Sequence, residues 1–475
     1  MTLPPSPVDE LVLFSFDDVA FPFQRGVKLV LHGYPRDGDD VAPHALHAGR
    51  PGDPDSESVA YYGTVIRVGD ELWMYYLGND TPGAGRHQRL LQARSTDGRT
   101  WTKPSLGVVE YRGSTDNNIC DLPINGHLQA AVVLYEPDDP DPAKRFKLSY
   151  ETEVLDKRMA VAFSADGITW VPFAGNPVGP YFFEQAGGTK FNGAYYVNGQ
   201  GFAGHYAAAG FARQLVTHVS YDFETWTQEG SMGFSRDLRP PRSTEHGGVA
   251  GPQVHLGASL WNRGDVLVGF YGMWNGHPSN DRRLITMDLG LVVSHDALHY
   301  TEPVPDFPIV SARETKTVTE HSNFPQIMQG QGFENIGDET LFWYSPWPET
   351  DADAIRVASW PRDRLGHLEA IRGPEPAHVL SRPVSASPEA VLVLNHELSS
   401  AHASLHVELL TERLEPLPGY AAADSALTSV SALEGEVRWN GSAVLPDGPF
   451  RIRITFDGIR PEDARLYVAY LRAAA

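Results

Sequence analysis

The chain has 475 residues, more than one hydrophobic core usually organises, so two or more folded units are expected. Its 60 acidic and 38 basic side chains give a formal charge of −22, which repels phosphate backbones and anionic membranes. Nucleic acid and membrane are therefore not expected partners, while neutral sugars are indifferent to that charge.

Cys120 is the only cysteine, so neither an internal disulfide nor a cysteine-built metal centre can form. Met1 to Glu10 has neither the basic region nor the apolar run of a signal peptide, and no stretch has the roughly 18 apolar residues of a membrane helix. A cytoplasmic protein is expected, with the oligomeric state, homo-oligomer included, left open. The 45 Gly and 37 Pro, with 10 Trp, 19 Tyr and 21 Phe, favour many short strands and tight turns.

In chain order, pairs of apolar alternating strands are predicted at 59–68 with 71–77, 127–135 with 145–150, 187–191 with 194–197, 255–261 with 265–274, and 324–333 with 339–347. Short polar joins such as Val68-Gly-Asp and Asn192-Gly mark hairpins. Each pair precedes a turn of the form Ser-x-Asp with an aromatic four residues after the Asp: Ser95–Trp101, Ser164–Trp170, Ser220–Trp226 and Ser294–Tyr300. The serines are 69, 56 and 74 residues apart, and a degenerate fifth copy ends at Ser359. In such a turn the Ser and Asp side chains bond backbone N–H groups while the aromatic packs under a neighbouring sheet.

Strand, hairpin, strand, loop, strand, turn, strand is the plan of a four-stranded propeller blade, and it occurs five times. After about residue 375 the Pro-rich stretches Gly373-Pro-Glu-Pro and Ser381-Arg-Pro read as a linker, followed by alternating runs without the turn. The expected fold is all-β: a five-bladed β-propeller over residues 1–375, then a C-terminal β-sandwich over residues 384–475. Leu11–Phe16 is strand-like and could pair with either unit.

In a meander blade, the loop leading into the first strand and the loop joining strands two and three lie at the same end. Here those are the long, irregular loops, where function sits on a rigid scaffold. Carboxylates assigned to that end are Asp55, Glu57, Asp80, Asp116, Asp121, Glu151, Glu153, Glu184, Glu245 and Glu320. Glu57, Glu184 and Glu320 immediately precede innermost strands and should ring one pocket. Asn118, His127, Gln185, His255 and His321 are expected to bind substrate there with Asp55 and Asp116, and Trp274 and Trp347 to form its rim. Acidic pairs beside an aromatic platform suit glycoside cleavage, one carboxyl protonating the leaving oxygen while another acts as nucleophile or activates water. Glu57 and Glu184 are the leading pair, with Glu245 and Glu320 in reserve. Glu184, beside Tyr181-Phe-Phe, is expected to have a raised pKa and act as the acid, and Glu57, between two serines, to stay ionised. The scattered histidines offer no compact ligand set, so neither metal nor other cofactor is expected.

Several stretches resemble the five-bladed propeller superfamily of glycoside hydrolase families 32, 43, 62, 68 and 130, closest to bacterial family-32-like proteins: Tyr61-Tyr-Gly-Thr, Trp73-Met-Tyr-Tyr, the Ser-x-Asp-Gly-x-x-Trp turns, Asp116-Asn-Asn, Gly332-Phe-Glu-Asn-Ile-Gly-Asp-Glu and Ala464-Arg-Leu-Tyr. The resemblance spans nearly the whole chain. It implies a glycosidase with a carboxylate ahead of each of the first three blades. The Asn-Asp-Pro and Arg-Asp-Pro motifs of fructan-cleaving members are absent, so no role transfers by motif. A glycoside hydrolase or transglycosidase is the leading expectation. A phosphorylase is the second, on account of Arg236, Arg239, Arg242 and His246 in one loop, and a non-catalytic sugar-binding propeller the third.

Overall fold

The computed structural model describes residues 10–35, 43–81, 87–124, 126–180, 183–201, 213–236, 251–277, 279, 281–312, 326–347, 354–373, 375–387 and 389–473. Among these residues the chain is all-β, with single 3₁₀ turns and no α-helix. None of its helices is long and apolar enough to cross a membrane.

Five antiparallel sheets follow one another along the chain. The first contains Ser58–Val68, Glu71–Asn79 and Arg89–Ser95, and the second Leu128–Tyr135, Phe146–Thr152, Arg158–Ser164 and Val171–Pro172. The third contains Glu184–Phe191, Ala194–Gly201, Gln214–Ser220 and Ser231–Phe234, and the fourth Pro252–Asn262, Leu267–Asn275, Thr286–Ser294 and Pro308–Val310. In the fifth, Ile327–Ile336, Glu339–Pro346 and Ala354–Pro361 take their outer strand, His44–His47, from near the start of the chain. The first strand of each sheet packs against that of the next, and the fifth returns to the first, where Gln331 pairs with Thr64.

Side chains close this ring, because inner strands present edges whose backbone groups lack a neighbouring strand. Thr64 donates to the Ala131 carbonyl and accepts from Val133 N–H. The Asn198 amide does both to Ala258. Gln331 spans two gaps at once, bonding Gly188 O together with the N–H and C=O of Leu260. Each inner strand also contains a β-bulge, at 60/64, 128/130, 185/187, 255/258 and 329/333.

The recurring turns are built as the residue types require. In the first, Ser95 Oγ accepts from Gly98 N–H, Asp97 accepts from Arg99 and Thr100 N–H, and Trp101 donates back to Gly98 O. The residue after the Asp is left-handed in all four copies, at φ of 70° in Gly98 and 72° in Gly167 but also 66° in Phe223 and 60° in Ala297. The Asp hydrogen bonds hold that conformation even without glycine.

Two further sheets complete the structure. One runs Ser425–Leu427, Ala432–Trp439, Ala390–Leu398, Ala464–Ala473, Gly366–Ala370, Val27–Leu31, with Leu11–Phe14 also on Ala464–Ala473. The other runs Phe23–Arg25, Ala377–Leu380, Arg451–Asp457, Ser404–Leu410. Leu392, Leu394 and Leu466 of the former share a core with Val379, Val407 and Ile454 of the latter. The strand at 366–370 thus pairs with C-terminal strands although the sequence pattern grouped it with residues 1–375, and Leu11–Phe14 also joins the C-terminal side. Asp363, fully buried, ties the two parts together by bonding Arg263 at 2.5 Å, Asn335 at 3.0 Å and the Tyr470 hydroxyl at 2.7 Å.

Candidate active site

Where the five inner strands come together, each contributes one apolar residue to a common floor: Ala60, Leu128, Ala186, Leu256 and Met328, all buried. Polar and aromatic groups stand around it. Tyr62 of the first sheet accepts at 3.2 Å from the indole of half-buried Trp347, beyond the fifth. That indole meets the His255 ring of the fourth sheet edge-on at 5.3 Å.

Carboxyl groups come from the second and third sheets. Glu184 opens the inner strand of the third and is half-buried. Its Oε1 accepts at 2.6 Å from the Gln129 side-chain amide, and its Oε2 from that of Gln200. Glu151, on the second strand of the second sheet, is fully buried, and its oxygens have no hydrogen-bond partner among the described residues. Burial, with the Glu184 carboxyl beside it, pushes Glu151 up to about 8, while Lys157 pulls the other way. Glu151 is therefore a neutral carboxyl near neutral pH, and Glu184 acts on it electrostatically.

Burial thus raises Glu151, a carboxyl to which the sequence assigned no role. Tyr181 and Phe182, the apolar neighbours invoked for Glu184, lie outside the described residues, as do Glu245, Glu320 and His321. Glu57 is exposed ahead of the first sheet, where its N–H donates to Asn79 O at 2.9 Å. Asp116 is exposed on the long loop after the first turn.

Asp55 and Asn118, expected to meet substrate, are buried and bonded to each other through Tyr76. The Tyr76 hydroxyl donates to Asp55 at 2.7 Å and accepts from the Asn118 amide at 2.7 Å, with Lys103 on Asp55 at 2.6 Å. Burial of a carboxylate requires such partners, and Tyr76 packs where the fifth sheet meets the first. Trp274, expected at the rim, is fully enclosed beneath the Arg213 guanidinium at 4.6 Å and against Ile285 and Met287. His127 accepts from Gln88 N–H at 3.3 Å at the start of the second inner strand, and Gln185 is buried and accepts from the Ser149 hydroxyl. Of the basic loop, Arg236 donates to Trp274 O at 2.6 Å, Asn275 at 3.1 Å and Asp306 at 2.6 Å, while Arg239, Arg242 and His246 lie outside the described residues.

No protein-family profile matches the sequence, and no curated protein matches it either. In fold it is similar to a glycosyl hydrolase from Bacteroides ovatus, with TM-score 0.42 and 15% identity over 73% of this chain and 96% of that one. It is similar also to a structure from glycoside hydrolase family 130, mannoside phosphorylases that contain hydrolases targeting β-1,2 mannosidic linkages in Candida mannan (TM-score 0.41, 13% identity, 73% and 96% covered). A third likeness is the family 32 β-fructofuranosidase of Bombyx mori, with TM-score 0.38 and 12% identity over 91% and 93%. Families 32 and 130 are among those that the sequence motifs resemble.

The residues that sequence reasoning missed are Gln129 and Gln200, polar groups on strands without a motif around them, and Tyr62, which lies within Tyr61-Tyr-Gly-Thr but was given no role. Glu151 was placed at this end of the blades without a role. The one available signal was its spacing from Ser149, which puts both side chains on one face of the strand.

Proposed function

We propose that the chain is a glycoside-acting enzyme, a glycoside hydrolase or transglycosidase working on a small oligosaccharide. The five sheets form a five-bladed propeller with the site where its inner strands converge, and the two further sheets form a β-sandwich. The observation that carries this reading is Glu184, a half-exposed carboxyl at the head of the third inner strand whose two oxygens accept from the Gln129 and Gln200 amides. Glycoside cleavage needs a proton for the leaving oxygen and a carboxylate to attack the anomeric carbon or to deprotonate water. As the C–O bond breaks, the leaving sugar takes the proton, and water supplies hydroxide to the other fragment. Glu184 is the principal carboxylate on this reading. Glu57 of the first sheet is its partner across the axis, with Glu320 and Glu245 in reserve. Tyr62 and Trp347 offer faces on which sugar rings stack.

The test is product analysis on a panel of 4-nitrophenyl furanosides and pyranosides and short oligosaccharides, with and without inorganic phosphate. Turnover without phosphate is expected, reduced by about two to four orders of magnitude in Glu184→Gln with KM largely kept. Phosphate-dependent cleavage would make the enzyme a phosphorylase. Sugar binding without turnover would make it a binding protein.

A further inference from the structure

Two of the five sheets supply donors to one carboxyl group, and a third holds one of those donors in place. Gln129 lies in the bulge of the second inner strand, where Leu128 pairs with Thr152 and Ala130 with Glu151. A bulged residue has no cross-strand partner, and its side chain is re-aimed. Here that side chain crosses to Glu184 of the third sheet. Gln200 faces Glu184 directly across the third sheet. Its Oε1 accepts at 3.2 Å from Leu256 N–H, in the bulged, left-handed stretch of the fourth inner strand (φ 64°). An amide whose oxygen is already held by an N–H must turn its NH₂ the other way. It turns toward Glu184.

We propose that Gln129 and Gln200 are positioning residues, an amide clamp that fixes the Glu184 carboxylate for reaction with a glycoside. This rests on the reading of Glu184 as the principal carboxylate. Two neutral donors, one on each oxygen, set both terminal torsions of the side chain while leaving its charge in place, as a bidentate arginine would not. The two carboxyl groups are solvated differently by the protein. Glu184 has donors for the anionic form, whereas Glu151 has none among the described residues and holds the proton, with Lys157 the basic group acting on it.

The test uses Gln129→Met and Gln200→Met in the full chain, with side-chain carboxyl carbons followed by ¹³C NMR over pH and assigned by difference from Glu184→Gln and Glu151→Gln. Each Met variant should shift the Glu184 titration upward by about half to one unit, since a donor to the anion is lost. On the 4-nitrophenyl glycoside turned over by the parent chain, kcat should fall about tenfold with KM within about twofold. Gln200→Glu, which keeps the length but not the donor, should fail to rescue. An unmoved titration in both folded variants overturns the clamp even if Glu184→Gln is inactive, and so does a change confined to KM. A moved titration with an active Glu184→Gln variant leaves the clamp standing and overturns the catalytic reading instead.

Discussion

Replacing Glu151 by Gln keeps the size of the side chain and removes its titration, so the two proteins should differ in how stability depends on pH. In the folded chain this carboxyl titrates at about 8 against an ordinary value of 4.5, because it is buried beside Glu184. A raised folded value means that the unfolded chain releases the proton first. The wild type therefore has its full stability below pH 4.5 and loses it progressively as pH rises toward 8. Each pH unit in that window costs about 1.4 kcal/mol, so about 3 kcal/mol is lost between pH 5 and pH 7.5. Unfolding entropy for a chain of this length is about 1 kcal/mol/K, which converts that loss to about 3 °C in the thermal midpoint. The Gln variant does not undergo this loss, and every other titrating group is common to both. Differential scanning calorimetry at pH 5 and pH 7.5 should therefore show the midpoint of Glu151→Gln, relative to wild type, rising by about 3 °C. A difference that stays constant across the two pH values would refute the argument and return Glu151 to the ordinary carboxylate range.

Asp363→Ala should cost about 3–5 kcal/mol, because it leaves the buried Arg263 guanidinium only its longer contact to Glu10 and removes the Asn335 and Tyr470 bonds; chemical denaturation measures it. Asp222→Ala removes the acceptor for Glu224 and Thr225 N–H in a turn whose next residue, Phe223, is left-handed, and should lower stability by about 1–2 kcal/mol in the same assay. Trp347→Ala should raise KM for an oligosaccharide about tenfold through lost stacking, with kcat for a 4-nitrophenyl monosaccharide much less affected. Equal loss on both would place Trp347 in the framework of the site.

Local chemistry was legible in the residues. The Ser-x-Asp turns, hairpin joins and paired apolar strands are written in short stretches, and they led to the five sheets and to Glu184 at the head of the third. What escaped depends on residues far apart in the chain. His44–His47 contains two histidines around Ala-Leu, with no alternation to mark a strand, and becomes one by lying along Ala354–Ile355. Gly366–Ala370 continues directly from the fifth sheet in sequence, yet its partners are residues 27–31 and 465–466. Trp274 has the same aromatic surroundings in sequence whether it lines a rim or fills a core, and the packing of Arg213, Ile285 and Met287 around it decides. The amide clamp is invisible for a similar reason. Gln129 reaches Glu184 because of a bulge, and a one-residue offset against Thr152 and Glu151 leaves no mark in composition or spacing.

The strand that closes the fifth sheet begins at residue 44, and the strand at 11–14 pairs with 468–471. A ribosome adding about 5–20 residues per second takes roughly 20–90 s to supply the second partner after the first has emerged. Throughout that interval the apolar run Leu11-Val-Leu-Phe14 lacks its sheet partner, although all strands of the fifth sheet have emerged by residue 361. Synthesis of this protein thus keeps residues 11–14 waiting for residues 468–471. Its exposure to misassociation in the cell is set by translation time as much as by the stability of the finished fold.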